Sequence, residues 1–209
     1  MDKQEVVNSL KTNGYYVYHQ ELENPNELMQ KARDLCSSKE YGSGGDYRSN
    51  LNQIDTILKD IVYTEYIKEV FAEFDADPQD IFITYENKTG VMTRNNFLHF
   101  DRYRCMKALV YLEDTDETCG PFTIVEKSHT KGVELRRGFI NQSNYESIKN
   151  RIDIDYPEIE YKLKPIVGPA GTTILFDTDL FHMGGSIEEG KSRTVIRSHW
   201  YKDAEWRKK

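Results

Sequence analysis

At Pro78 the hydrophobic period of the chain changes, and this limits the fold more than any other feature of the sequence. Ahead of it, apolar residues recur at helical spacing. Val6, Val7 and Leu10 predict a helix over 2–12 that stops at Asn13-Gly14. Asn24-Pro25-Asn26-Glu27 reads as a helix start, with Leu28, Ala32 and Leu35 on one face up to about Cys36. Ile54, Leu58, Ile61, Val62, Tyr66, Ile67, Val70 and Phe71 predict one or two amphipathic helices between Leu51 and about Phe74. Between these, Tyr15-Tyr16-Val17-Tyr18 has the composition of a short strand, and Ser43-Gly44-Gly45-Asp46 that of a loop.

Beyond Pro78 the segments are short, β-branched and aromatic. Strands are expected at Ile81–Tyr85 and over 92–101, 104–113, 121–126, 158–167, 171–177, 180–184 and 193–201, with a turn at Lys88-Thr89-Gly90. The stretch 133–150 interrupts the series as a helix or long loop. Helices first and strands second imply a mainly β protein, a helical layer packed on an antiparallel sandwich or jelly roll. No linker or repeat divides it. The expectation is one domain over 1–209, with the helical layer over about 1–78 and the β core over about 79–203.

The bulk composition closes off several functions. A net charge of −7 argues against a broad basic face for nucleic acid. No apolar run approaches the ~20 residues of a membrane span. The first residues, Met1-Asp2-Lys3-Gln4-Glu5, form no apolar signal core, so a cytoplasmic location is expected. Cys36, Cys105 and Cys119 are too few and too irregularly placed for a disulfide framework or zinc knuckle, and reduced thiols are the expectation.

Near the middle of the chain lies Leu98-His99-Phe100-Asp101-Arg102. On a strand, His99 and Asp101 point to one face, which supplies two donors of the two-histidine, one-carboxylate triad that holds iron(II) with positions open. With 35 acidic residues and 5 histidines, one His-x-acid pair arises by chance more often than not. His19-Gln20-Glu21 is such a rival, in a polar, loop-like setting. A third donor is offered by Thr172–Gly185, which reads as a buried strand, an acidic turn and a second strand carrying His182. Eleven residues on, Arg193 opens the final strand, where its guanidinium can grip a carboxylate through two charge-assisted bonds.

With these residues in place, the chain resembles the phytanoyl-CoA dioxygenase-like (PhyH) family of iron(II)- and 2-oxoglutarate-dependent oxygenases. His99-Phe100-Asp101 matches the family's His-x-Asp. Leu109–Asp114 with Gly120-Pro121 resembles its Leu-Asp-Asp strand and following Asn-Gly-Pro. Ser128-His129 resembles its Gly-Ser-His segment, and Gly171 to His182 its Gly-Asp-…-Phe-…-His segment. Arg193 falls at the cosubstrate arginine, and Lys88-Thr89-Gly90 is similar to an upstream Lys-Pro-Gly. The likeness spans about 80–200. It departs at Glu126-Lys127, where Pro-Gly is usual, at Leu109, where tryptophan is common, and at Arg193-Thr194-Val195, where related oxygenases have Arg-x-Ser.

The resemblance implies a double-stranded β-helix (a cupin-like jelly roll) with iron(II) on His99, Asp101 and His182. It also implies 2-oxoglutarate chelated to the iron and paired with Arg193, O2 as co-reactant, and succinate and CO2 as products. A carboxylate at 101 favours hydroxylation over halogenation, because related halogenases place a small residue there. Further cosubstrate contacts are expected from Lys107, on the alternation of His99 and Asp101, and from Tyr85, with Asn87 beside it. Arg197 and His199 share the parity of Arg193. His129 reads as a turn residue, Arg136-Arg137 as a solvated pair or pocket gate, and Asn141-Gln142-Ser143 as a sequon without meaning in this context. The expected partner is a free small molecule rather than nucleic acid or membrane, and Arg94, Arg102 and Arg104 hint that it is anionic. A cupin-like isomerase or lyase, and a binding barrel without chemistry, are the competing readings.

Overall fold

The computed structural model describes residues 1–37, 45–50, 56–87, 96–140 and 148–208. The turn expected at 88–90, Arg94 and the 141–143 sequon lie outside the described residues.

Helix α1 (Lys3–Asn13) starts where the Asp2 carboxylate accepts a bond from Gln4 N at 2.9 Å. It ends at Gly14, whose φ of 86° and bond to Leu10 O make a left-handed cap. A β-carbon at residue 14 would lie 2.7 Å from His129 Nδ1, so glycine is required there twice over. Strand β1 (Tyr15–His19) and α2 (Pro25–Ser37) follow. The predicted 51–74 helical stretch divides into α3 (Thr56–Val62) and α4 (Glu65–Ala72), because Thr64 caps the second with its hydroxyl on Ile67 N.

The described part of the loop expected at 43–46 is strand, and residues 43 and 44 lie outside the described residues. Residues Gly45–Asn50 form β2, antiparallel to β3 (Pro78–Asn87). Its sequence, Gly-Asp-Tyr-Arg-Ser-Asn, has no apolar alternation, and the ladder bonds of β3 supply what local propensity lacks. The remaining elements are β4 (Met106–Tyr111), β5 (Phe122–Ile124), α5 (His129–Ile140), α6 (Ile152–Asp155), β6 (Lys164–Ile166), β7 (Thr172–Asp177), β8 (His182–Gly184) and β9 (Ser192–Trp200). The expected strand over 158–167 shrinks to three residues. That over 92–101 is no ladder within its described part, where His99 instead forms single bridges to Arg151 and His182.

The strands make a six-stranded antiparallel sheet, ordered β1-β7-β4-β9-β3-β2, and a three-stranded sheet, β6-β5-β8. Both edges of the large sheet come from the first 50 residues, so the segment expected as a helical layer is also part of the sheet. Alternation gives the large sheet two apolar faces. Outside, Met106, Ala108, Leu175 and Trp200 pack on Val6, Val7 and Leu10 of α1 and on Ile67, Val70 and Phe71 of α4. Ile81, Ile83, Val110 and Ile196 pack on α2 and α3. Inside, Leu109, Tyr111, Ile174, Phe176 and Val195 meet Phe122, Ile124 and Ile166 of the small sheet. The Tyr111 hydroxyl joins the two, donating to Ile166 O and accepting from Phe122 N at 2.7 and 2.8 Å. This is the jelly-roll arrangement of two facing sheets.

Candidate metal centre and its cavity

Between the sheets lies a cavity of about 210 Å³. Its large-sheet wall follows from register. Lys107, Leu109 and Tyr111 stand opposite His199, Arg197 and Val195, while Phe82, Thr84 and Glu86 stand opposite Arg197, Val195 and Arg193. Phe122, His182 and Met183 belong to the other side, and His99 and Asp101 complete the lining.

The segment that carries His99 and Asp101 is fixed by backbone bonds to the β7–β8 turn. His99 and His182 exchange N–H···O bonds of 3.0 and 2.7 Å, and Asp101 N donates to Thr178 O at 2.9 Å. The turn is held from three directions. Arg104 Nη2 pairs with Asp177 at 2.7 Å, Ser128 Oγ accepts from Phe181 N at 2.7 Å, and the fully buried Arg136 pairs with Asp179 and reaches Asp101 O at 3.4 Å. Gly132 lets α5 come this close: a β-carbon there would stand 2.0 Å from Asp179 O. Burial, with the neighbouring Asp177 carboxylate, pushes Asp179 up to about 7 against the pull of Arg136 and Arg104.

His99 Nε2 and His182 Nε2 lie 3.7 and 3.6 Å from one carboxylate oxygen, Asp101 Oδ1. The three donor atoms fall within 4.8 Å of one another, the one such group of His, Cys, Asp or Glu among the described residues. Each imidazole Nδ1 contacts a carbonyl at 2.7 Å, Phe97 O for His99 and Leu180 O for His182. Those contacts place the proton on Nδ1 and leave Nε2 as a lone-pair donor. Burial, and then His182, bring His99 down to about 4, so it is neutral and ready to ligate at pH 7. Burial opposes ionisation of Asp101, but Lys107 and the two histidines outweigh it and hold the carboxyl well below its usual range. Lys107 Nζ takes the other oxygen, Oδ2, at 2.5 Å. One oxygen is therefore tethered and the other faces the histidines. This donor set, two imidazoles and one carboxylate, fits a divalent first-row metal with positions left open.

Lys107 is in the cavity wall, although residues 101–105 are not strand and no alternation runs through from Asp101, and its ammonium is directed at Asp101. Tyr85 is not in the wall. On β3 the inward residues are Thr84 and Glu86, and Tyr85 points to the helical side, where the Arg33 guanidinium lies 4.6 Å from its ring centre. Asn87 is exposed at the strand end. Arg193 is buried and pairs with Glu86, a partner unforeseen from sequence although it shares parity with Thr84. Arg197 lines the cavity, 5.2 Å from the Phe82 ring. His199 stacks on Phe82 at 4.4 Å, outside the donor group, and burial, then Lys107 and Arg197, hold it well below its ordinary range. His129 Nε2 meets Lys11 O at 3.2 Å, a structural role. Arg136 is no gate, since it is wholly buried and bound to Asp179. Arg104 faces Asp177 and Asp179 rather than an outside anion. His19 is exposed at the end of β1.

A family model described as phytanoyl-CoA dioxygenase (PhyH) matches residues 17–195. A comparison with curated proteins returns no match. Among solved structures, the epimerase SnoN with Fe3+, α-ketoglutarate and nogalamycin RO superposes with a TM-score of 0.69 at 13% identity, over 95% of this chain and 83% of that one. HygX from Streptomyces hygroscopicus, with nickel and 2-oxoglutarate, gives 0.64 at 16% identity, over 95% and 86%. The carbocyclase SnoK from nogalamycin biosynthesis gives 0.65 at 14% identity, over 94% and 83%. These likenesses bear on the fold.

Proposed function

Because this chain belongs to the phytanoyl-CoA dioxygenase family, whose members depend on iron(II) and 2-oxoglutarate, we propose that it hydroxylates a small-molecule metabolite and releases succinate and CO2. The observation that carries this is the shared oxygen: Asp101 Oδ1 faces both imidazole Nε2 atoms while Lys107 holds Oδ2.

His99, Asp101 and His182 are the proposed ligands of iron(II), which when bound supplies the site where 2-oxoglutarate and O2 react. The two carbonyls on the Nδ1 atoms fix the imidazole planes, and Lys107 holds Oδ2 of Asp101, so that Oδ1 would be the carboxylate oxygen offered to the metal. Arg193 is the proposed partner of the cosubstrate's far carboxylate. It would meet that carboxylate beside Glu86, its partner on β3. Phe122, Phe176, Leu109 and Val195 give the cavity an apolar lining. The cavity is smaller than the roughly 300–1,000 Å³ of sites for drug-sized ligands. That favours a compact substrate, or one that inserts only its reacting end.

No helix among the described residues is long and apolar enough to cross a membrane, and the three cysteines are free and buried. We place the protein in the cytoplasm on the thiols. Succinate formed from 2-oxoglutarate with iron(II) and ascorbate under air tests the assignment. Activity on a substrate that persists without oxygen contradicts it and favours an isomerase or lyase.

A further inference from the structure

Among the described residues, the cavity lining carries more positive charge than its own groups and the proposed cofactors can neutralise. Its charged members there are Lys107, Arg193 and Arg197 against Glu86 and Asp101. Lys107 faces Asp101 and Arg193 faces Glu86. A divalent metal and a doubly charged 2-oxoglutarate cancel one another. Arg197 is left over. It has no carboxylate partner among the described residues, and its Nε is buried without an acceptor.

Its surroundings make the surplus costly. Leu109 stands opposite it on β4 and Phe82 on β3, and although the half-buried guanidinium lies over the Phe82 ring, neither neighbour offers its Nε an acceptor. Arginine cannot shed its proton in a protein, and a buried donor without an acceptor carries its full desolvation cost. His199, the next inward residue of β9, is held neutral and adds no counter-charge. A ligand oxyanion docked on Arg197 restores both the charge balance and the missing acceptor. In so weakly screened a site that contact is stronger than on the surface.

We propose that Arg197 is the substrate-recognition residue and that the substrate carries an oxyanion, a carboxylate or a phosphate, which it grips. This rests on the iron and 2-oxoglutarate reading above. It distinguishes the two inward arginines of β9: Arg193 for the cosubstrate, and Arg197, four residues along the same strand, for the substrate.

The test is binding by calorimetry to the nickel(II) form saturated with 2-oxoglutarate, with butyrate as the carboxylate probe and inorganic phosphate as the other. Wild-type protein should bind at least one probe at one site per chain without displacing 2-oxoglutarate, and the probe preferred names the oxyanion. Arg197→Gln should weaken that probe tenfold or more while 2-oxoglutarate affinity stays within threefold. Arg197→Lys, which keeps the charge, should recover part of the loss. If neither probe binds wild type, or Arg197→Gln binds it equally well, the assignment is overturned. If Arg197→Gln instead loses 2-oxoglutarate, Arg197 anchors the cosubstrate and the proposal is likewise wrong. Failure of wild type to bind 2-oxoglutarate with metal would instead strike the functional reading beneath it.

Discussion

Replacing Arg136 by methionine is the perturbation that most fully tests how the metal-bearing turn is held. Arg136 is fully buried, pairs with Asp179 of the β7–β8 turn, and reaches the carbonyl of Asp101. Removing one member of a buried pair typically costs about 3–5 kcal/mol where the partner is ionised, because its charge is then left behind. For a chain of this size that lowers Tm by roughly 6–20 °C. The loss has a pH signature. In the native protein Asp179 is raised from its ordinary 3.8 to about 7. As pH climbs between those values the unfolded chain gives up its proton first and native stability falls, levelling near 7. Without Arg136 the native value moves higher still, so the variant keeps losing about 1.4 kcal/mol per pH unit above 7, where wild type no longer does. Arg136→Met should therefore be further below wild type at pH 8.5 than at pH 6, by urea unfolding at each pH. Adding Asp179→Asn should recover much of the deficit. A variant within about 1 kcal/mol of wild type at both pH values would refute the reasoning.

Three further outcomes are expected. Gly132→Ala should cost about 1–3 kcal/mol, since its methyl meets Asp179 O, whereas Gly138→Ala, with open space around it on the same helix, should gain up to about 1 kcal/mol; paired thermal melts check this. Arg193→Gln should raise the Kd for 2-oxoglutarate at least thirtyfold, the loss of about 2 kcal/mol or more in a buried charge pair. Glu86→Gln should lower it by removing a competing carboxylate; calorimetry with nickel(II) would read both, and an unchanged Arg193→Gln would remove Arg193 from the cosubstrate site. His199 is held below its ordinary 6.5 by burial, then by Lys107 and Arg197, with Arg207 adding to them and Asp101 opposing. Its contribution is complete above that pH and is lost as pH falls, because the unfolded chain takes the proton first. His199→Gln should flatten the acid limb of stability between pH 7 and 5, and an unchanged slope would exclude His199 as a source of acid lability.

The donor trio was legible because its logic is local. A His-x-Asp pair, a histidine after an acidic turn and an arginine eleven residues on can each be read from spacing. So could β4, β7 and β9, whose apolar runs are buried on both faces. What failed depends on partners distant in sequence. Strand β2 is polar and exists through its ladder to β3. Glu86 rather than Tyr85 faces inward because a one-residue change of register exchanges the faces of a strand, and nothing local sets the register of β3. Arg136 has the sequence setting of a solvated arginine, and only the approach of Gly132 to Asp179 reveals that α5 buries it. The Arg193–Glu86 and Lys107–Asp101 pairs join different segments, so no local signal gave their partners.

The most direct measurement of the central claim is an anaerobic titration of iron(II) into the protein with 2-oxoglutarate, followed by the charge-transfer absorption of an iron(II)–2-oxo acid chelate. The account predicts one iron per chain, an absorption that requires both components, and its loss in Asp101→Ala and His182→Ala variants that remain folded. Iron binding that leaves 2-oxoglutarate free, or a chelate that survives loss of Asp101 or His182, would contradict it.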